Sequence, residues 1–233
     1  MPDTETLEQV TKAGRQRLYP SITDPNWLIL RKRRQLFQQW LSKVPPGNLC
    51  VLDVGGRIQP YRSMLDTGVH YVALDHRRSP LVDVVAQAEQ IPLAGERFDV
   101  VICTQMLEYA SEPALVIAEI RRVLKRGGVL LLSVPAVFPR DSERDCWRFL
   151  PGGLRHLLGG FAAIDLKPEG GSLTGFIRTV NVCLLTFAKP AALNKILQFS
   201  VVPALNLAGA TLDYLAAGTD DRFSANFSVM AQK

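Results

Sequence analysis

This chain has few of the features that mark a secreted or metal-stapled protein. Its four cysteines, Cys50, Cys103, Cys146 and Cys183, lie far apart and form no CxxC pair. Neither a disulfide framework nor a metal site is expected, and the thiols read as reduced and mostly buried in an intracellular, cytoplasmic protein. The opening Met1-Pro2-Asp3-Thr4-Glu5 is polar and acidic and makes no signal peptide. No apolar run continues uninterrupted for the length of a membrane-spanning helix. Internal repeats and low-complexity tracts are missing. The net charge is only +5, which tolerates an acidic substrate or an anionic membrane surface and demands neither. What remains is ordinary core material: 47% apolar and 21% charged residues over 233 positions, enough for one large domain or a domain with an appendage.

The organising stretch is Cys50-Val51-Leu52-Asp53-Val54-Gly55-Gly56-Arg57. A Val/Leu run without polar alternation reads as a strand buried on both faces of a parallel sheet. The glycine pair lets the backbone turn sharply and approach a ligand. Asp53 at the strand end can hold that turn by accepting backbone N–H groups, or face the ligand. A nucleotide-type cofactor at the carboxyl edge of an open sheet is the expectation.

Upstream, residues up to about Ser21 read as a loosely held arm. Asp24-Pro25 signals a helix start, and Trp27, Leu30, Leu36, Phe37, Trp40 and Leu41 form a helical apolar stripe. Arg31-Lys32-Arg33-Arg34 wraps almost a full helical turn, so the four cannot share one face. A solvated helix is expected there and no nucleic-acid partner. The division is an arm and helix over 1–46 and the main domain over 47–233.

Downstream the pattern alternates. Strands are expected at His70–Asp75, Val82–Ala86, Phe98–Cys103, Val129–Val134, Phe161–Leu166 and Phe223–Met230. Ser111-Glu112-Pro113 opens a helix, which Gly127-Gly128 stops. Pro151 starts another, and residues 173–218 form an apolar, helical insertion. This rhythm is that of a doubly wound α/β sheet.

Asp75 lies 22 residues after Asp53, where a carboxylate grips a ribose diol. The dinucleotide pattern G-x-G-x-x-G is incomplete, because Arg57-Ile58-Gln59-Pro60 lacks the later glycines. Arg77 and Arg78 beside Asp75 keep an NADP-dependent oxidoreductase as an alternative. The ordered set Val51-Leu52-Asp53-Val54-Gly55, Asp75, Ala88-Glu89-Gln90-Ile91-Pro92, Phe98-Asp99, Leu107-Glu108-Tyr109, Arg122-Val123-Leu124-Lys125-Arg126-Gly127-Gly128 and Val134-Pro135 resembles the class I S-adenosylmethionine-dependent methyltransferases of the type 11-like group. Asp145-Cys146-Trp147-Arg148-Phe149 and Gly152-Gly153-Leu154 resemble a subgroup associated with surface-polysaccharide or glycolipid assembly.

The resemblance implies a seven-strand, mostly parallel sheet with the last strand antiparallel and a helical insertion before it. It implies S-adenosylmethionine as cofactor. Asp53 would order the glycine turn and the methionine end. Gly55 and Gly56 would let the backbone approach. Asp75 would bind the ribose hydroxyls, Gln87 and Ala88 would meet the adenine, Thr104 and Gln105 would lie beside the sulfonium, and His76 would join the cofactor-binding set. Arg57 and Gln59 stand where many members have glycine, and either crowd the cofactor or, for Arg57, meet its carboxylate. A non-catalytic protein with this fold is a further alternative. The implied acceptor is a small molecule, a saccharide or a lipid-linked group, methylated on oxygen. An attacking hydroxyl needs a base, and the candidates are Asp141, Asp145 and Glu108. An Asp145–Arg148 ion pair that pins the loop is the structural alternative for Asp145. Residues 180–217 are apolar enough for a lid, a homodimer face or peripheral membrane contact. Pro203, Asn206 and Asp213 interrupt that stretch.

Overall fold

The computed structural model describes residues 5–140, 142–215 and 220–233. Asp141 and the end of the 173–218 insertion lie outside the described residues. The chain opens with α1 (Leu7–Leu18) and α2 (Trp27–Leu41), followed by β1 (Cys50–Val54), β2 (His70–Asp75), β3 (Val84–Val85) and β4 (Phe98–Thr104). Next come α3 (Pro113–Val123), β5 (Leu124–Pro135), α4 (Pro151–Leu157) and β6 (Ala163–Pro168). Three consecutive helices, α5 (Ser172–Phe187), α6 (Ala191–Phe199) and α7 (Val201–Leu215), precede β7 (Asn226–Gln232). The sheet runs in the order β3-β2-β1-β4-β5-β7-β6. All neighbours pair in parallel except β7, which is antiparallel to both β5 and β6.

Side-chain alternation along the strands builds two cores. Leu52, Val101, Leu130 and Leu132 face Val116, Ile117 and Ile120 of α3 and Leu154 of α4. Val51, Val100, Ile102 and Leu131 face Leu36, Phe37 and Trp40 of α2. The apolar stripe of α2 therefore covers one face of the sheet, as its 3.6-residue period requires.

Several expectations change. Residues 5–21 are no loose arm. Thr6 and Gln9 form a capping box at the start of α1, and α1 buries Val10 and Leu18. Gly14 sits so close to the loop after β1 that a side-chain carbon there would lie 2.1 Å from the Ile58 carbonyl oxygen. Asp24 does not cap α2 directly; its Oδ1 accepts from Asn26 N at 2.7 Å, and the helix begins at Trp27. Gly127-Gly128 does not stop α3. The chain passes from Val123 straight into β5, and the glycines occupy an irregularity where pairing with β4 jumps from Phe98–Leu124 to Val100–Val129. Lys125 accordingly pairs with Asp99, which also accepts from Cys50 N. Among the cysteines only Cys103 is buried, and Cys146 is exposed.

The basic run is the largest departure. Arg33 is 1% exposed and lies in a two-pronged ion pair with Glu169, at 2.8 Å for both Nε–Oε1 and Nη2–Oε2. Ser133 and Ser228 donate to the same carboxylate from β5 and β7 at 2.5 and 2.6 Å. Leu30, Arg33, Phe37 and Trp40 share one helical face by their spacing, so Arg33 belongs to the buried stripe. A buried charge stripped of its partner is costly. Arg33→Met should therefore destabilise the fold by about 3–5 kcal/mol, read as a lower urea midpoint. A loss under about 1 kcal/mol would show that the pair is dispensable.

Candidate functional site

The order of the sheet reverses between β1 and β4, and a cavity of about 570 Å³ opens at the carboxyl ends of the strands there. The turn that shapes it is unusual. Gly55 N and Gly56 N both donate to the Leu74 carbonyl, at 2.8 and 3.1 Å. Asp53 does not hold the turn as expected. Its Oδ2 accepts from the Tyr71 hydroxyl at 2.7 Å. Gly55 has φ +83°, and a Cβ there would lie 2.9 Å from Met106 Cγ. Gly56 does not line the cavity. A Cβ there would lie 2.8–2.9 Å from Asp53 atoms, so the glycine makes room for the acid beneath it.

Asp53, Gly55, Arg57, Asp75, His76, Gln87, Ala88, Thr104 and Gln105 all line this cavity. Asp75 ends β2, is 8% exposed, and accepts from Arg77 N at 2.8 Å, with His76 Nδ1 3.2 Å away. Gln105 has φ +50°, a sparsely populated conformation for a non-glycine residue. Its N donates to the Ser133 carbonyl at 2.9 Å. The two large side chains in the glycine loop leave the crevice open. Gln59 turns away and donates to the Leu81 carbonyl. Arg57 reaches across to an ion pair with Glu5, ahead of α1. Burial pushes the Asp53 carboxyl up to about 7, against the pull of the Tyr71 hydrogen bond, with Asp75 adding to the rise.

A second, smaller chamber of about 240 Å³ adjoins the first and shares Arg17, Gln105 and Tyr109 with it. Glu108 and Asp145 lie on it. Asp145 is engaged by both terminal nitrogens of Arg148, whose remaining contacts run to the Phe138, Pro139 and Trp147 carbonyls. It pins its own loop. That loop also grips the turn after β4: Cys146 N and Trp147 N donate to the Glu108 carbonyl, and Trp147 Nε1 donates to the Ala110 carbonyl. Glu108 is 4% exposed, and its Oε2 has no hydrogen-bond partner. Burial raises its carboxyl to about 7; a backbone hydrogen bond and Arg17 and Arg33 oppose the rise, and Asp145 assists it.

Sequence reasoning missed Arg17, Arg33 and Arg178, all of which border the chamber. Two of them had signals. Arg33 falls in register with the apolar stripe of α2, and Arg178 is the only charged residue in α5. Arg17 had none, because its role depends on where α1 lies.

An acid with a raised pKa holds its proton more tightly folded than unfolded. The stability tied to Asp53 is thus present below pH ~4 and is lost as pH rises to about 7. Asp53→Asn should flatten this part of a stability profile measured by urea titration from pH 4 to 8. An unchanged slope would show that Asp53 is not responsible.

Residues 58–132 match the family described as a methyltransferase domain. The chain is 44% identical over 62 residues to the ubiquinone biosynthesis O-methyltransferase of Hahella chejuensis, covering 27% of this chain and 24% of that protein. It is 34% identical over 117 residues to the demethylmenaquinone methyltransferase of Renibacterium salmoninarum, covering 44% and 47%. These matches thus span half or less of the curated relatives. Among solved structures, the [4+2]-cyclase SpnF superimposes with a TM-score of 0.53 at 19% identity, over 100% of this chain and 98% of that one. Haemonchus contortus phosphoethanolamine N-methyltransferase 2 gives 0.53 at 13%, over 94% and 60%. Residues 58–132 are thus similar to the methyltransferase-domain family, and the chain shares the fold of these solved structures, with a cavity at the reversal point of its sheet.

Proposed function

We propose that this protein transfers the methyl group of S-adenosylmethionine to a hydroxyl of a small acceptor held in the 240 Å³ chamber. The observation that carries the reading is the pairing of two adjoining cavities, one bordered by Asp53, Gly55 and Asp75 and the other by Glu108. The cofactor fits the residues present. Gly55 leaves a hollow that a side chain would fill against Met106, Asp75 supplies a carboxylate for a diol, and Ala86 and Ala88 offer an apolar slot, while the Arg57 cation on the same wall is already paired with Glu5. When bound, the cofactor supplies an electrophilic methyl group. The protein's part is to hold the acceptor in line, keep water out and take one proton.

Glu108 suits the proton transfer. Glu108 borders the chamber, its buried Oε2 has no hydrogen-bond partner, and a carboxyl near 7 is poised between acid and base. Asp145 is occupied by Arg148 and serves as a loop pin. The NADP alternative does not suit the sheet. Dinucleotide folds run 3-2-1-4-5-6, whereas here an antiparallel β7 intervenes between β5 and β6. The non-catalytic alternative remains a distinct outcome of the tests below.

The insertion supports a second proposal, peripheral membrane contact. No residue of α6 is buried, and Phe187, Ile196 and Phe199 are exposed. Ala191–Asp213 is long and apolar enough to cross a membrane. Two polar anchors nevertheless tie α7 to the domain: Asn206 donates to the Ile22 and Asp24 carbonyls, and Asp213 accepts from Gly171 N. Co-sedimentation with anionic vesicles should retain the protein if the face meets lipid. A vesicle-independent doubling of mass in solution would assign the face to a homodimer instead.

Calorimetric titration should detect binding of S-adenosylmethionine and S-adenosylhomocysteine, and no binding of either would leave a scaffold. Asp75→Ala should weaken both by about tenfold or more, the loss expected for hydrogen bonds to a charged group. In methylation assays on small hydroxylated acceptors, turnover should rise with pH up to about 7 as Glu108 ionises. Glu108→Gln should lower kcat by about 100-fold or more without changing cofactor affinity. Full activity in that variant would move the base elsewhere.

A further inference from the structure

The wall of the smaller chamber holds more positive charge than its own acids answer. Arg33 is fixed through Nε and Nη2 by Glu169, and its Nη1 is buried with no hydrogen-bond partner. Arg178 is fixed through Nε and Nη2 by Asn26 Oδ1, at 3.0 and 2.8 Å, and its Nη1 is likewise buried without a partner. The Arg178 guanidinium also stacks 3.4 Å from the centre of the Phe138 ring. Both arginines are 1% exposed, and both border the chamber with Arg17. Neither acid of the chamber hydrogen-bonds them: Asp145 is engaged by Arg148, and Glu108 feels Arg17 and Arg33 only through space, its Oε2 bonding to nothing among the described residues.

Leaving two cationic N–H groups dry and unmet is expensive, since a buried charged donor forfeits its hydration without recompense. The cost shows on Arg178, which burial, and then the like charge of Arg33, push down to about 9. Such an arrangement persists where a ligand completes it. Guanidinium groups held rigid by their other nitrogens are suited to oxyanions, which accept several N–H bonds in one plane. Asn26 and Phe138 set the Arg178 plane, and Glu169 sets that of Arg33, so little ordering is left to the moment of binding. The chamber is smaller than the ~300–1,000 Å³ of drug-sized sites, which limits the occupant to a small molecule or one end of a larger one.

We propose that Arg33 and Arg178 form an oxyanion-binding site, and that the acceptor carries a carboxylate or phosphate which they clamp while its hydroxyl faces Glu108. This rests on the methyl-transfer reading for the word acceptor, but the anion site itself does not. Arg178 is a binding residue in this assignment, and Asn26 and Phe138 are positioning residues.

The test uses the full chain, free and saturated with S-adenosylhomocysteine, titrated with benzoate, inorganic phosphate and the neutral analogue benzyl alcohol. At least one anion should bind at a single site, at least about tenfold more tightly than benzyl alcohol. Preference for benzoate assigns a carboxylate, and preference for phosphate a phosphoryl group. Arg178→Gln should lose about tenfold or more of that affinity while S-adenosylhomocysteine affinity stays within about twofold. Circular dichroism checks its fold. Arg178→Lys, which keeps the charge and the apolar stem, should retain part of the affinity and serves if the Gln variant misfolds. No anion binding, equal binding of benzyl alcohol, or undiminished binding in both variants would overturn the proposal. If S-adenosylhomocysteine fails to bind while the anion binds to the free chain, the methyltransferase reading falls and the oxyanion site stands.

Discussion

A carboxylate with no access to water organises the end of this molecule where the two cavities meet. Glu169, just beyond β6, accepts from Arg33 of α2, Ser133 of β5 and Ser228 of β7. One buried acid thus ties the covering helix to β5 and to the antiparallel β7 beside it. Its partner is a guanidinium, whose planar fork meets both carboxylate oxygens at once as a lysine could not. The position of α2, and through Asn26 that of Arg178, follows from this pair. Buried ion pairs are weak evidence for net stability but strong determinants of which arrangement survives, because losing either member is so costly.

The same low-dielectric environment acts on the acids around it. Asp53 and Glu108 are both raised to about 7, in each case chiefly by burial. Their surroundings then separate their roles. Asp53 has the Tyr71 hydroxyl and lies under Gly56, which makes it a structural acid at the base of the glycine turn. Glu108 borders the smaller chamber and has one buried oxygen without a hydrogen-bond partner. Tyr109 and Gln105 border both cavities, so the residues that follow β4 form the partition across which a group would pass. Fold alone does not assign that chemistry, since unrelated activities share folds. The proposed methyl transfer depends on the residues at the partition.

Much of the cofactor crevice was legible in advance because it is made of local features. A buried strand, a glycine turn and an acid at the end of the next strand are short-range patterns, and parallel register brings the strand ends to one edge. Asp75, Thr104 and Gln105 arrive there because each ends or follows a strand. The smaller chamber was not legible, because its walls come from α1, α2, the turn after β4, the loop after β5 and α5. No local pattern links Arg33 to Glu169 across 136 positions or Arg178 to Asn26 across 152.

By itself, then, the sequence determined the rhythm of strands and helices, the sharp turn at Gly55 and the acid at Asp75, since these depend on backbone sterics and hydrophobic period within a few residues. Tertiary structure decided which charges are spent and which are available. Asp145 was taken by Arg148, Gln59 turned away from the crevice, and Arg33 moved from an expected solvated face into the interior. Those outcomes depend on partners brought together only by packing, because the burial of a charge is tolerated only where the rest of the chain supplies its counterpart.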